Sequence, residues 1–155
     1  GFDYYFPMFM ETPGICDQLA AEVTTLQASV NFRMGVYAAD VNLQPIGAPL
    51  ADSGDISTGT IGLKTYTPGT PIRFARARYL GVFNTSASTA VWRALRVSYV
   101  GLNLGINLGI STYIDDMSVS RAYAAFPTPG TAWDTSATNS GQGKFYPFVY
   151  HVSQP

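Results

Sequence analysis

The feature that most restricts this chain is a two-residue alternation of side-chain character. Ile15, Leu19, Ala21 and Val23 alternate with Cys16, Gln18, Ala20 and Glu22. Phe32, Met34 and Val36 alternate with Arg33, Gly35 and Tyr37. Arg76–Asn84 sets Tyr79 and Phe83 on one face and Leu80 and Val82 on the other. Val91–Val100 sets Val91, Leu95 and Val97 against Trp92, Arg96 and Ser98. Successive side chains of a strand leave opposite faces, so each segment reads as a strand. Helical spacing is hard to find. Its main candidate, Cys16–Thr25, ends in the β-branched run Val23-Thr24-Thr25, which favours a strand. Further strands are expected at Leu50–Ser53, Thr60–Thr67 and Phe145–Val152, and a short helix near Tyr113–Ser118 stays open. Turn formers (Asn42, Pro45, Gly47, Pro49) predict a loop over Asp40–Pro49. Thr67-Pro68-Gly69-Thr70-Pro71 is a strong break, and polar Asn84–Thr89 reads as a hairpin tip. Short strands punctuated in this way predict an all-β fold, an antiparallel β-sandwich of jelly-roll type.

A length of 155 residues suits one domain spanning residues 1–155. Charged residues are only 12% against 46% hydrophobic, so the chain has the apolar content to fold rather than stay disordered. A net charge of −1 gives little long-range attraction to nucleic acid, and none is expected as a partner. No apolar run approaches the roughly 20 residues that span a bilayer as a helix, so no membrane insertion is expected. The opening Gly1-Phe2-Asp3 carries neither an initiator Met nor a signal-peptide pattern, which suggests a piece of a longer or processed protein. The single Cys16 excludes an internal disulfide framework and a cysteine-based zinc site. His151 is the only histidine, and no Gly-x-Ser-x-Gly elbow occurs. A catalytic triad would have to be built around His151, and an ordinary strand histidine is the better reading. No cofactor is implied.

Two segments stand apart. Gly101–Ile110 places Leu102, Leu104, Ile106, Leu108 and Ile110 on one face and Gly101, Asn103, Gly105, Asn107 and Gly109 on the other. A glycine floor in a strand marks close approach by a large ring or another backbone. Neighbouring aromatics of the same protomer and the face of a second subunit fit it about equally. Ala124–Gly143 is long, irregular and rich in Pro, Gly, Ser and Thr, and loops of that length are often functional or pinned by contacts.

Asp52-Ser53-Gly54-Asp55 and Asp115-Asp116 offer oxygen ligands or a glycosidase-type carboxylate pair. Neither has calcium-loop spacing, and turn capping explains both as well. Arg73-Phe74-Ala75-Arg76-Ala77-Arg78-Tyr79 is the densest basic run. It would suit phosphate or an acidic sugar, or pairing with scattered aspartates. Trp92, Trp133, Tyr113 and Tyr146 could stack on sugar rings. Trp133-Asp134 is the best of these, with a platform next to a hydroxyl acceptor, although a ring that plugs the core is favoured for any single one.

One ordered set of residues resembles a recurrent pattern of tailed-bacteriophage structural proteins. It runs through Phe32-Arg33-Met34-Gly35-Val36-Tyr37, Pro45 and Gly47, Leu50-Ala51-Asp52-Ser53-Gly54, Ser57-Thr58-Gly59 and Pro68-Gly69. The pattern is similar to β-sandwich domains at the ends of tail fibres, tail spikes and head fibres, and it covers residues 1–85 best. Thr70–Arg76 departs from it, since bulky aromatics usually follow the Pro-Gly soon after. The resemblance implies a trimeric, non-enzymatic virion appendage that meets the host surface.

The combined expectation is a homotrimeric domain on the virion, at the tail or capsid surface, in contact with other virion proteins and binding a host-surface glycan. Trp133, Asp134, Trp92 and Tyr113 are the expected ligand contacts, and Gly101, Asn103, Gly105, Asn107 and Gly109 the expected subunit interface. The alternatives are a capsid decoration or fibre head without a receptor, a glycan-cleaving domain using Asp52/Asp55 or Asp115/Asp116, and a cellular carbohydrate-binding module.

Overall fold

A computed structural model describes residues 2–10, 12–87, 91–93, 95–97, 117–132, 144–146 and 149–153. Every regular element among them is a β-strand, and every pairing is antiparallel. The larger sheet joins β1 (Phe2–Phe9), β3 (Asn31–Ala39), β4 (Pro45–Asp52), β5 (Ile56–Ser57), β8 (Arg78–Thr85) and β11 (Met117–Ser120). Its order is β11-β1-β8-β3-β4, with β5 continuing the edge beside β3. The second sheet is built around β2 (Gly14–Thr25). β6 (Gly62–Tyr66) and β7 (Ile72–Phe74) pair with β2, as do β9 (Val91–Arg93) and β13 (Val149–Ser153). β10 (Leu95–Val97) and β12 (Lys144–Tyr146) form a separate pair.

The two large sheets share one apolar interior, consistent with a β-sandwich. Phe6 and Met8, Phe32, Met34 and Val36, and Tyr79 and Phe83 meet Cys16, Leu19, Ala21, Val23, Ile72 and Phe74. Ring pairs knit it together: Phe32 stacks on Phe83 at 5.5 Å, and Phe74 meets Tyr79 edge-on at 4.5 Å. Gly81 makes room for Phe6, its direct cross-strand partner. A Cβ at Gly81 would lie 2.1 Å from the Phe6 ring. The Phe6 ring thus lies over the glycine and covers its bare backbone. Residues 101–110 lie outside the described residues.

The larger sheet is buried on both faces. Tyr5, Tyr37, Leu80, Val82 and Phe126 form a second apolar cluster on its outer side, with Leu43. This explains β1, which alternation does not reveal. Phe2-Asp3-Tyr4-Tyr5-Phe6-Pro7-Met8-Phe9 is apolar almost throughout because both of its faces are covered. Pro7 sits past the end of β11, which flanks only Phe2–Tyr5, where the missing N–H is best tolerated.

Several expectations are corrected. Ile15 and Cys16 exchange faces: Cys16 is fully buried and Ile15 is not. The ladder with β13 slips by one residue at Asp17, a β-bulge that flips the phase of β2 between Cys16 and Leu19. The predicted loop Asp40–Pro49 becomes strand from Pro45, because a bulge between Val36 and Ala38 absorbs Gly47–Leu50 at the sheet edge. Asn84–Thr89 is not a hairpin tip, since β8 and β9 belong to different sheets. Phe145–Val152 is divided between β12 and β13; of Tyr113–Ser118, where a helix stayed open, residues 113–116 lie outside the described residues and Met117–Ser118 belong to strand β11.

Gly81→Ala is expected to cost about 1–3 kcal/mol through overpacking against Phe6. Phe6→Leu in the same chain should return part of that loss. Urea denaturation of the two variants checks it.

Candidate functional site

The densest set of chemically capable side chains lies on the outer face of the larger sheet, under residues 121–132. Alternation places Asp3 and Tyr5 (β1), Arg33, Gly35 and Tyr37 (β3), and Val82 and Asn84 (β8) on this face. The covering segment has no regular structure, so its backbone groups must find partners elsewhere. They find side chains and, at Gly130, a backbone carbonyl. The Tyr37 hydroxyl donates to the Pro127 carbonyl at 2.7 Å, and that of Tyr5 to Thr131 at 3.1 Å. The Phe126 N–H donates to Asp52 Oδ2 at 3.1 Å, and the Gly130 N–H to the Gly47 carbonyl at 3.2 Å. The Phe126 ring fills the space left by Gly35, where a Cβ would lie 2.7 Å from it.

Two arginines fasten the segment. Arg121 grips the fully buried Asp3, with Nη2 at 2.9 Å from Oδ1 and Nε on Oδ2. It also donates to the Ala125 carbonyl at 3.1 Å, and the Asn84 amide donates to Asp3 Oδ1. Arg33 forks between two aspartates: Nη1 reaches Asp52 at 3.0 and 2.9 Å, and Nε reaches Asp55 at 2.8 Å. The Tyr123 hydroxyl donates to the same Asp55 oxygen at 3.1 Å, and its ring lies 6.0 Å from the Arg33 guanidinium carbon. Charge-assisted bonds of this kind are about twice as strong as neutral ones.

Burial is the largest influence on the phenols, and it pushes Tyr5, Tyr37 and Tyr123 well above the ordinary value of 10.0. For Tyr5 and Tyr37 the charge of Asp3 adds to it; for Tyr123 the bond to Asp55 does. All three are held as neutral donors. Burial likewise raises the Cys16 thiol, which keeps it unreactive.

The Asp52–Asp55 cluster is therefore engaged from within. Asp52 also accepts the Gly54 N–H at 2.9 Å, the turn-capping role considered for it. No cluster of three or more metal-ligating side chains occurs among the described residues.

The expected ligand contacts Trp133, Asp134 and Tyr113 lie outside the described residues, as do Asp115 and Asp116 and the expected interface positions Gly101, Asn103, Gly105, Asn107 and Gly109. Trp92 is in β9 opposite Val23, and His151 is in β13 opposite Gln18. The sequence reading missed Asp3, Asn84, Arg121 and Tyr123. Asp3 carried a signal, being the one charge within an otherwise apolar, aromatic run. No protein-family model, curated protein or solved structure matches this chain.

Arg121→Met should destabilise by about 3–5 kcal/mol, because it leaves Asp3 charged and unpaired in the interior. Asp3→Asn with Arg121→Met should cost clearly less, and chemical denaturation measures both. Stability should also fall at alkaline pH. An unfolded tyrosine ionises near 10.0 while the folded ones resist, so their contribution is complete below pH 10 and is lost as pH rises further. Urea midpoints from pH 8 to 12 should drop in wild type and drop less in the Tyr5→Phe/Tyr37→Phe variant.

Proposed function

We propose that this chain is a non-enzymatic β-sandwich domain of jelly-roll type from a phage virion appendage, at the tail or head, whose task is to contact the host surface. The observation that carries this reading is the part played by the tail-fibre-like residues. Arg33 binds Asp52 and Asp55, Gly35 admits Phe126, and Tyr37 holds Pro127. Ser53 exchanges bonds with the Met34 backbone at 2.9 Å. Gly54 takes a φ of +66°, and the buried Thr58 hydroxyl ties down the Gln27 and Val30 carbonyls at 2.7 and 2.9 Å. The residues behind the resemblance are thus scaffold residues with specific duties. A chain that shares them shares a way of closing its fold and leaves its loops to vary with the target.

Contact with the host would use shallow sites multiplied across a homotrimer, since several weak contacts engaged together bind tightly. Trp133, Asp134, Trp92 and Tyr113 are the proposed glycan platform, and the glycine face of residues 101–109 is the proposed subunit contact. A decoration or fibre-head role without a receptor is the second reading. It draws support from the same cluster, whose carboxylates and phenols are spent on closing the fold.

A glycan array separates the two. The receptor reading expects hits that Trp133→Ala abolishes with the fold intact; an array without hits favours the structural role. Light scattering on the isolated chain should give three times the monomer mass at micromolar concentration, and a monomer would remove the trimer.

A further inference from the structure

The positive charge of this chain is segregated. Residues 56–114 hold Lys64, Arg73, Arg76, Arg78, Arg93 and Arg96 and no Asp or Glu, while the rest holds three basic residues against all ten acids. The near-neutral total therefore hides a strongly basic stretch. Three of its arginines lie in or beside the connection from β7 to β8, with Arg73 in β7, Arg76 in the connection and Arg78 at the start of β8, where the chain passes from one sheet to the other.

That rim is stiff. The Ala75 N–H donates to the Tyr79 hydroxyl at 2.9 Å, and the Ala77 carbonyl accepts the Met10 N–H at 3.1 Å. Beneath it, Phe74 and Tyr79 close the interior. Arg73 lies between buried Ile72 and Phe74 and is exposed, so it leaves the outer side of the second sheet. Arg78, also exposed, belongs to the outer side of the larger sheet, and Arg76 lies on the rim between them. Arg78 spends one donor on the Val41 carbonyl at 2.7 Å, which fixes its direction and leaves other guanidinium donors outward. Its cross-strand partner is Phe9, an aromatic ring 42% exposed. Arg33 and Arg121 lie elsewhere, on the outer face of the larger sheet, and are turned inward onto aspartates.

We infer that the β7–β8 rim binds an acidic polysaccharide, with Arg73, Arg76 and Arg78 taking carboxylate or sulfate groups and Phe9 stacking on a sugar face. This rests on the host-glycan reading above and gives that glycan a charge. The arginines straddle a body whose sheets stand about 10 Å apart, so they suit groups spaced along a polymer rather than one small anion. Fork-shaped guanidinia match such groups in pairs of bonds. Nucleic acid fits less well: its charges recur roughly every 1.7 Å of duplex axis, a denser array than three arginines spread over the rim can match.

The test is binding of the full chain, at low ionic strength, to dextran sulfate, polygalacturonate, unsubstituted dextran and a single-stranded oligonucleotide. The first two should bind, and the other two at least about tenfold more weakly. Arg73→Gln should reduce polyanion binding about tenfold, and Arg73→Gln/Arg76→Gln further, with circular dichroism unchanged. Lys64→Gln removes the same charge from β6 and should change binding less than about twofold. An equal loss in Lys64→Gln, an oligonucleotide bound as tightly as the polysaccharides, or no polyanion binding at all would each overturn the inference. Array hits confined to neutral glycans and indifferent to the arginine substitutions overturn it while leaving the host-glycan reading in place. No retention of any glycan overturns both.

Discussion

The larger sheet must be covered twice. Apolar residues leave both of its faces, and the second sheet can cover only one of them. The other is closed by residues 121–132, a segment with neither strand nor helix. A covering of that kind brings unpaired backbone groups onto an apolar surface, where each would cost about 1–3 kcal/mol if left without a partner. The polar side chains of the outer face supply those partners. Tyr5 and Tyr37 serve carbonyls, Asp52 serves an N–H, and Arg121 serves both Asp3 and the Ala125 carbonyl. The ion pairs follow from the same need: a carboxylate as deeply buried as Asp3 is stable only when paired.

This constraint shapes the functional reading. Carboxylates, phenols and guanidinia gathered in one place invite a catalytic interpretation. Here each faces a partner that belongs to the fold, and the phenols are held neutral by burial. The groups turned to solvent are elsewhere, on the rim between the sheets. The outer-face set closes the fold, and the exposed arginines of the rim are the groups on which the proposed recognition rests.

The strands with one strong alternation were legible in the sequence. β8 appears with Tyr79 and Phe83 on one face and Leu80 and Val82 on the other, and β3 with Phe32, Met34 and Val36 inward. β1 was not legible, because a strand buried on both sides loses its period. The face of Ile15 was misread because a bulge at Asp17 has no signature in side-chain pattern. The first part of β4 was hidden by Pro45, Gly47 and Pro49, turn formers that a bulged edge strand accommodates, while its end falls within the strand expected at Leu50–Ser53. The outer cluster was beyond reach for a different reason: Asp3, Asn84 and Arg121 lie 81 and 118 residues apart along the chain and meet only through strand register. Pinning was anticipated in kind for Ala124–Gly143; residues 124–132 show it, with named partners, and residues 133–143 lie outside the described residues.

The fold depends on the outer face being sealed by residues 121–132 as firmly as a strand would seal it. Amide hydrogen exchange reads this directly at Phe126 and Gly130, whose N–H groups bond to Asp52 and Gly47. Protection at these two amides comparable to that of β3 and β8 is the predicted result. Exchange at the rate of an unstructured peptide, with β3 and β8 still protected, would contradict it.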